Sequence, residues 1–158
     1  MNGKVLQIQT NIEIAVQIKN LMNTIKKLQI QLTMKYKQFV IINKGLKMSV
    51  GKIAAMSCHA STLAILKQSK TWNGRRIIHK WLKEGECVIV LEAYNSSQMF
   101  GLQQYLNRKG IINHLYIDEC LGEGQMGEPN ALATGVVENF NFLDTLKLYS
   151  NGKRNRSK

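Results

Sequence analysis

The sequence predicts an α/β protein: a mixed four-stranded sheet with helices packed on both faces, preceded by an N-terminal helical extension. Three observations carry this. Short, almost unbroken apolar runs, Phe39-Val40-Ile41-Ile42 and Cys87-Val88-Ile89-Val90-Leu91, read as strands covered on both faces. Segments of helical period separate these runs, giving the order β-α-α-β-α-β-β-α. The length of 158 residues and the apolar fraction of 44% fit one packed domain with appendages.

Residues 12–33 place Ile14, Ile18, Leu21, Met22, Ile25, Leu28 and Leu32 at helical spacing, with Asn20, Lys26, Lys27, Gln29 and Gln31 between them. This is an amphipathic segment able to dock on the domain, a partner or a membrane surface. A flexible arm, or residues upstream of the true start, are the other readings. Met34 precedes Lys35-Tyr36-Lys37 and the first strand, so residues 1–34 are taken as an extension and 35–150 as the domain.

Within the domain the first strand is residues 38–43. Ser49 is an N-cap residue for a helix running to about Lys70, with Ile53, Met56, Ala60, Leu63 and Leu66 at apolar positions. Thr71-Trp72-Asn73-Gly74 reads as a loop. Arg76 to Glu84 is a short helix closed by Gly85. Glu86–Ala93 is the second strand, and Ser96 or Ser97 starts a helix ending at Gly110. Ile111–Ile117 is the third strand. Asp118–Asn130 is Gly-rich and acidic, hence a loop. Ala131–Val137 is a weaker strand and Phe142–Tyr149 a terminal helix. The tail from Asn151 to Lys158 is polar and basic, a composition that does not pack.

The net charge is +12 and is uneven. Residues 1–34 contribute +3, residues 35–150 +5 and the tail +4. Such a surplus favours a polyanionic partner, nucleic acid ahead of a membrane surface. The three cysteines, Cys58, Cys87 and Cys120, are odd in number and far apart, and with the three histidines they complete no zinc spacing. They read as reduced thiols, which points to the cytoplasm. No apolar run approaches the roughly 18 residues of a membrane span, and no signal peptide is evident. No metal or organic cofactor is indicated.

The most informative stretch runs from Lys47 to Ala60. A strand delivers the chain to a helix N-terminus with Lys47 and Lys52 on either side. Free backbone N–H groups and the helix dipole there favour an anion, either a phosphate or a developing oxyanion. The string Leu46, Lys47, Met48, Ser49, then Gly51, Lys52, Ile53, Ala54, Ala55, then His59 and Ala60 resembles the signature of the archaeal and eukaryotic (type 2) peptidyl-tRNA hydrolases. Trp81, Gly85 and the run Val88-Ile89-Val90-Leu91 resemble the next landmarks of that family. So do Ile117-Asp118 at a strand end, Pro129, Leu132-Ala133-Thr134-Gly135 and Leu146-Lys147-Leu148-Tyr149. The likeness covers about residues 36–150. The chain departs from the pattern at Gly45 (an Asp in the family), Val50 (Lys) and Met56 (Gln). The loop after Asp118 is longer, and Gly122 or Gly124 stands where the family has Thr.

The resemblance implies hydrolysis of the ester joining a peptide, or an N-blocked amino acid, to tRNA. It implies Lys47 as positive charge at the carbonyl oxygen or a phosphate, and Asp118 as the group that positions or deprotonates water. It implies His59, which matches the family's His, as a proton-transfer or substrate-contact residue. Lys52 and Ser49 would hold phosphate, and Glu123 would partly replace missing loop groups. Arg75, Arg76, Lys80, Arg108 and Lys109 are candidate tRNA phosphate contacts. A non-catalytic module binding tRNA, other RNA or a protein on the same scaffold stays open, as do a homodimer and a partner or membrane-surface contact through residues 12–33.

Overall fold

The computed structural model describes residues 13–22, 25, 34–118, 127–140 and 146–149. The chain forms two compact units, Met1–Met34 and Lys35–Lys158. In the first, residues 13–22 form a helix, α1, with Ile14, Ile18, Leu21 and Met22 exposed. The loop residues Gly122, Glu123 and Gly124, and the tail, lie outside the described residues. Among the described residues no helix is long and apolar enough to cross a membrane.

In the second unit β1 (Tyr36–Asn43) is buried along its whole length. A 3-10 turn (Lys44–Leu46) follows, then α2 (Val50–Ser69), α3 (Trp72–Lys83), β2 (Val88–Ala93), α4 (Ser96–Arg108) and β3 (Asn113–Ile117). The chain continues through β4 (Pro129–Thr134), β5 (Val137–Glu138) and β6 (Lys147–Leu148). The sheet order is β3-β4-β1-β2-β6, with β5 also paired to β1. Strands β1 and β2 are parallel, with Phe39 opposite Ile89 and Ile41 opposite Leu91. Because β4 is antiparallel to both β1 and β3, the strands β1, β2 and β3 all point the same way. Their C-terminal ends therefore share one edge of the sheet, hereafter the upper edge.

Side chains alternate across the pleat. On one face Val40, Ile42, Ala131 and Ala133 pack with Met56, Ala60 and Ala64 of α2. These positions of α2 recur every fourth residue, and the two alanines let the helix sit close to the sheet. On the other face Phe39, Ile41, Leu91 and Leu132 are fully buried. There α4 contributes Met99 and Leu106, both without exposed surface. Helices thus cover both faces, as the sequence predicts.

Four details differ from the sequence reading. Among the described residues the sheet has six strands rather than four. Lys147–Leu148 is a strand beside β2, not part of a helix over 142–149: Leu148 pairs with Leu91 and Lys147 with Glu92. The backbone groups on the open side of β2 outcompete the helix preference of Leu-Lys-Leu, which tertiary pairing overrides. The expected strand Ala131–Val137 is broken at Gly135, where the buried side-chain amide of Gln68 takes the place of a neighbouring strand. Its Nε2 donates to Val136 O (2.8 Å) and its Oε1 accepts from Val136 N (2.7 Å). Finally, α3 begins at Trp72, not Arg76, because Thr71 Oγ1 accepts from Gly74 N (3.0 Å) as an N-cap. The α2–α3 corner is so tight that a Cβ on Gly74 would lie 2.0 Å from Gln68 O.

Candidate active site

The upper edge gathers the chemistry-bearing residues of the signature. After β1, Asn43 turns the chain: its Oδ1 accepts from Gly45 N (3.1 Å), and its Nδ2 donates to Pro129 O (2.9 Å) and Ser96 Oγ (3.1 Å). This one buried amide ties together the starts of the 3-10 turn, β4 and α4. A Cβ on Gly45 would come within 2.6 Å of Tyr94 O, so the Asp of the resembled motif does not fit this backbone. The turn ends at Lys47, which is exposed and left-handed (φ 49°). That conformation aims the chain into α2 and leaves the ammonium at the surface. Ser49 caps α2 as the sequence predicts, its Oγ accepting from Lys52 N at 3.3 Å.

Lys52 turns inward and pairs with Asp118 Oδ2. The two side chains are only 18% and 8% exposed. Asp118 stands just beyond β3, its N–H held by Asn130 Oδ1 (2.9 Å), and Asn130 in turn donates to Met48 Sδ (3.3 Å). A chain of contacts thus links the signature (Met48, Lys52) to the strand-end carboxylate. At the same edge, between the 3-10 turn and the start of α4, lies a cavity of about 500 Å³ lined by Asn43, Gly45, Leu46, Asn95, Ser96, Ser97 and Glu128; neither Lys52 nor Asp118 lines it. The C-terminal end of parallel strands is where α/β sheets place their ligand crevices. Also at this edge, Lys44 pairs with buried Glu92 at 2.7 Å, and that hydrogen bond raises the Lys44 ammonium above its ordinary value of 10.5.

The structure divides the predicted residues into three groups. Lys47, Ser49, Lys52 and Asp118 belong to the upper edge. His59 stands two turns along α2, exposed and stacked on Tyr116. Arg75, Arg76, Lys80, Arg108 and Lys109 lie at the opposite, lower edge. There Arg75 donates to Ser69 O (3.0 Å), Lys80 to Tyr36 OH (3.1 Å), and Arg76 lies over the Trp72 ring at 5.6 Å. Val50 is exposed, and Met56 is buried in the core under α2. Among the described residues no group of three or more His, Cys, Asp or Glu could hold a metal ion.

Sequence reasoning did not single out Asn130, Glu92 or Tyr116. Glu92 had a signal: a carboxylate inside the apolar run of β2. Asn130 and Tyr116 had none, because their roles depend on strand pairing.

The family model described as "Peptidyl-tRNA hydrolase PTH2" matches residues 36–149. Among curated proteins the chain is similar to ones named peptidyl-tRNA hydrolase. That of Thermococcus onnurineus is 34% identical over 104 residues, covering 64% of this chain and 84% of the relative. That of Pyrobaculum aerophilum is 31% identical over 120 residues, covering 73% and 99%. That of Methanopyrus kandleri is 31% identical over 100 residues, covering 63% and 84%.

Proposed function

We infer the reaction from one premise: this chain belongs to the peptidyl-tRNA hydrolase PTH2 family, whose model spans 36–149. It is a peptidyl-tRNA hydrolase, cleaving the ester between a peptide, or an N-blocked amino acid, and tRNA. The observation that supports a working site is the Lys52–Asp118 pair at the upper edge, reached from the same turn that presents Lys47.

In the mechanism proposed, Lys52 holds the Asp118 carboxylate in one orientation. Asp118 takes a proton from water as the water oxygen attacks the ester carbonyl carbon. The carbonyl oxygen becomes an oxyanion, and the exposed Lys47 ammonium stabilises it. Collapse re-forms the carbonyl and breaks the bond to the ribose oxygen. That oxygen leaves with the proton returned by Asp118. The free N–H groups at the start of α2, beside Ser49, suit a terminal phosphate of the tRNA. Lys52 thus becomes a positioning residue rather than a phosphate ligand. His59 takes the substrate-contact role of its two alternatives, since it stands two turns along α2 from Lys52, the partner of Asp118.

Residues 35–150 form the hydrolase domain in this reading, with 1–34 as an extension and 151–158 as a basic tail that adds to tRNA attraction. The reaction is assigned to the cytoplasm. Homodimerisation, and a partner or membrane contact through 12–33, are tested by sedimentation with and without those residues.

The test is release of N-acetyl-amino acid from N-acetyl-aminoacyl-tRNA at low salt, comparing wild type with Lys47→Gly. Glycine suits the φ of 49° at this position, so the variant removes the ammonium and leaves the fold intact. Loss of release with unchanged melting supports the mechanism. No release by wild type, with salt-sensitive tRNA binding retained, would establish the binding module instead.

A further inference from the structure

Below the Asp118 edge α2 packs against β3, the outermost strand of the sheet order. There the rings of His59 and Tyr116 lie nearly parallel, 15° apart in tilt and 4.9 Å between centroids. Tyr116 is partly buried against the core under α2, which fixes its ring, whereas His59 is exposed. One face of the imidazole is therefore taken by Tyr116 while the residue still meets solvent. His114, two residues back on the same side of β3, adds a third ring at 6.5 Å from Tyr116.

The placement relative to the catalytic pair is fixed by helix and strand periods. His59 follows Lys52 by seven residues, the same helix face about 10 Å farther along. Tyr116 precedes Asp118 by two, about 7 Å along the strand direction. Lysines stand on either side of the ring pair along α2: Lys52, paired with Asp118, and Lys67, whose Nζ donates to Asn113 O (3.3 Å). A stacked aromatic pair with its outer ring exposed, flanked by lysines, is an arrangement that binds an unpaired base by stacking, whatever its sequence.

We propose that His59, backed by Tyr116, is a stacking platform for an unpaired base near the 3′ end of the tRNA, holding the terminal nucleotide's ester at Asp118. The proposal rests on the hydrolase reading for the identity of the strand. Its geometric core, an unpaired nucleobase on the His59 ring, does not.

The experiment uses the full chain and a short single-stranded RNA ending in CCA, with 2-aminopurine before the terminal nucleotide. Stacking on His59 quenches its fluorescence on binding. His59→Ala is expected to weaken binding roughly 5- to 100-fold and abolish the quench, whereas His59→Phe retains both. With N-acetyl-aminoacyl-tRNA the same Ala substitution raises KM and leaves kcat near wild type. Wild-type quench and KM in His59→Ala would overturn the platform. So would a fall in kcat at unchanged KM, which marks proton transfer instead, or a Phe variant no better than Ala. Absence of ester release by the wild type would sink the hydrolase reading alone, because the quench is read without turnover.

Discussion

Lys52 in the first turns of α2 donates to Asp118 at the end of β3, and sixty-six residues of chain separate the two. Removing one partner of a largely buried pair leaves a charge in a poorly solvated place, which costs about 3 kcal/mol. Lys52→Met is therefore expected to lower the stability measured by denaturant melting by about that much, and to slow ester release. Asp118→Asn keeps the shape and removes the base. It is expected to cost less stability and to reduce release at least ~100-fold. Release at the wild-type rate from Asp118→Asn would reduce Asp118 to a structural cap.

That pair also shows how far the sequence is legible. The strand–turn–helix around Lys47 follows from local signals: an apolar run, an N-cap serine and a helical period. Asp118 at a strand end follows the same way. Which lysine meets Asp118 does not, because it depends on the pairing of β3 with β4 and on the pitch of α2 over the sheet. Lys47 shares the upper edge, yet Lys52 makes the bond. The misreading of Lys147–Leu148 has the same origin. A two-residue strand has no periodicity of its own and exists only because β2 offers it backbone partners. Arg75 and Arg76 look like any basic pair in sequence; only the sheet topology assigns them to the lower edge.

Gln68 offers a stability test away from the site. Its amide makes two hydrogen bonds to the backbone of Val136 inside the protein, as an extra strand residue would. Gln68→Leu matches it roughly in volume but leaves a buried N–H and a buried C=O without partners, at about 1–3 kcal/mol each. Denaturant melting should show a loss of about 2–6 kcal/mol with no change in m, and catalysis at permissive temperature should be intact. A loss below about 1 kcal/mol would mean that other groups or water replace the amide.

His114 sets a pH dependence. Burial, with the Lys67 ammonium as a second cause, lowers its pKa below the ordinary 6.5. The folded state therefore releases the proton more readily than the unfolded chain. As pH falls below 6.5 the unfolded state binds the proton first, so stability decreases on the acid side and levels off once pH passes the folded pKa. Melts between pH 7 and 4.5 should show this slope reduced in His114→Asn. An identical slope in that variant would assign the acid sensitivity to the carboxylates.

The lower edge makes the last prediction, about substrate size. Arg75, Arg76 and Arg108 sit at the end of the sheet away from Asp118, and an eight-residue β1 separates the two edges by about 25 Å. A minimal substrate, an N-acetyl-aminoacyl ester on the single-stranded 3′ end, is too short to span that distance, whereas full-length tRNA is not. Each phosphate contact contributes about 0.9 to the slope of log affinity against log salt on a duplex. Replacing the three arginines by alanine should therefore flatten the slope for full-length tRNA by two to three units, if each meets a phosphate. Turnover of the minimal substrate should stay as in the wild type. An unchanged slope for full-length tRNA would make these arginines solvated charges, their contacts with Ser69 O and the Trp72 ring serving the fold alone. A fall in minimal-substrate turnover would instead mean that the lower edge supports the upper one structurally, which melting of the same triple variant would reveal.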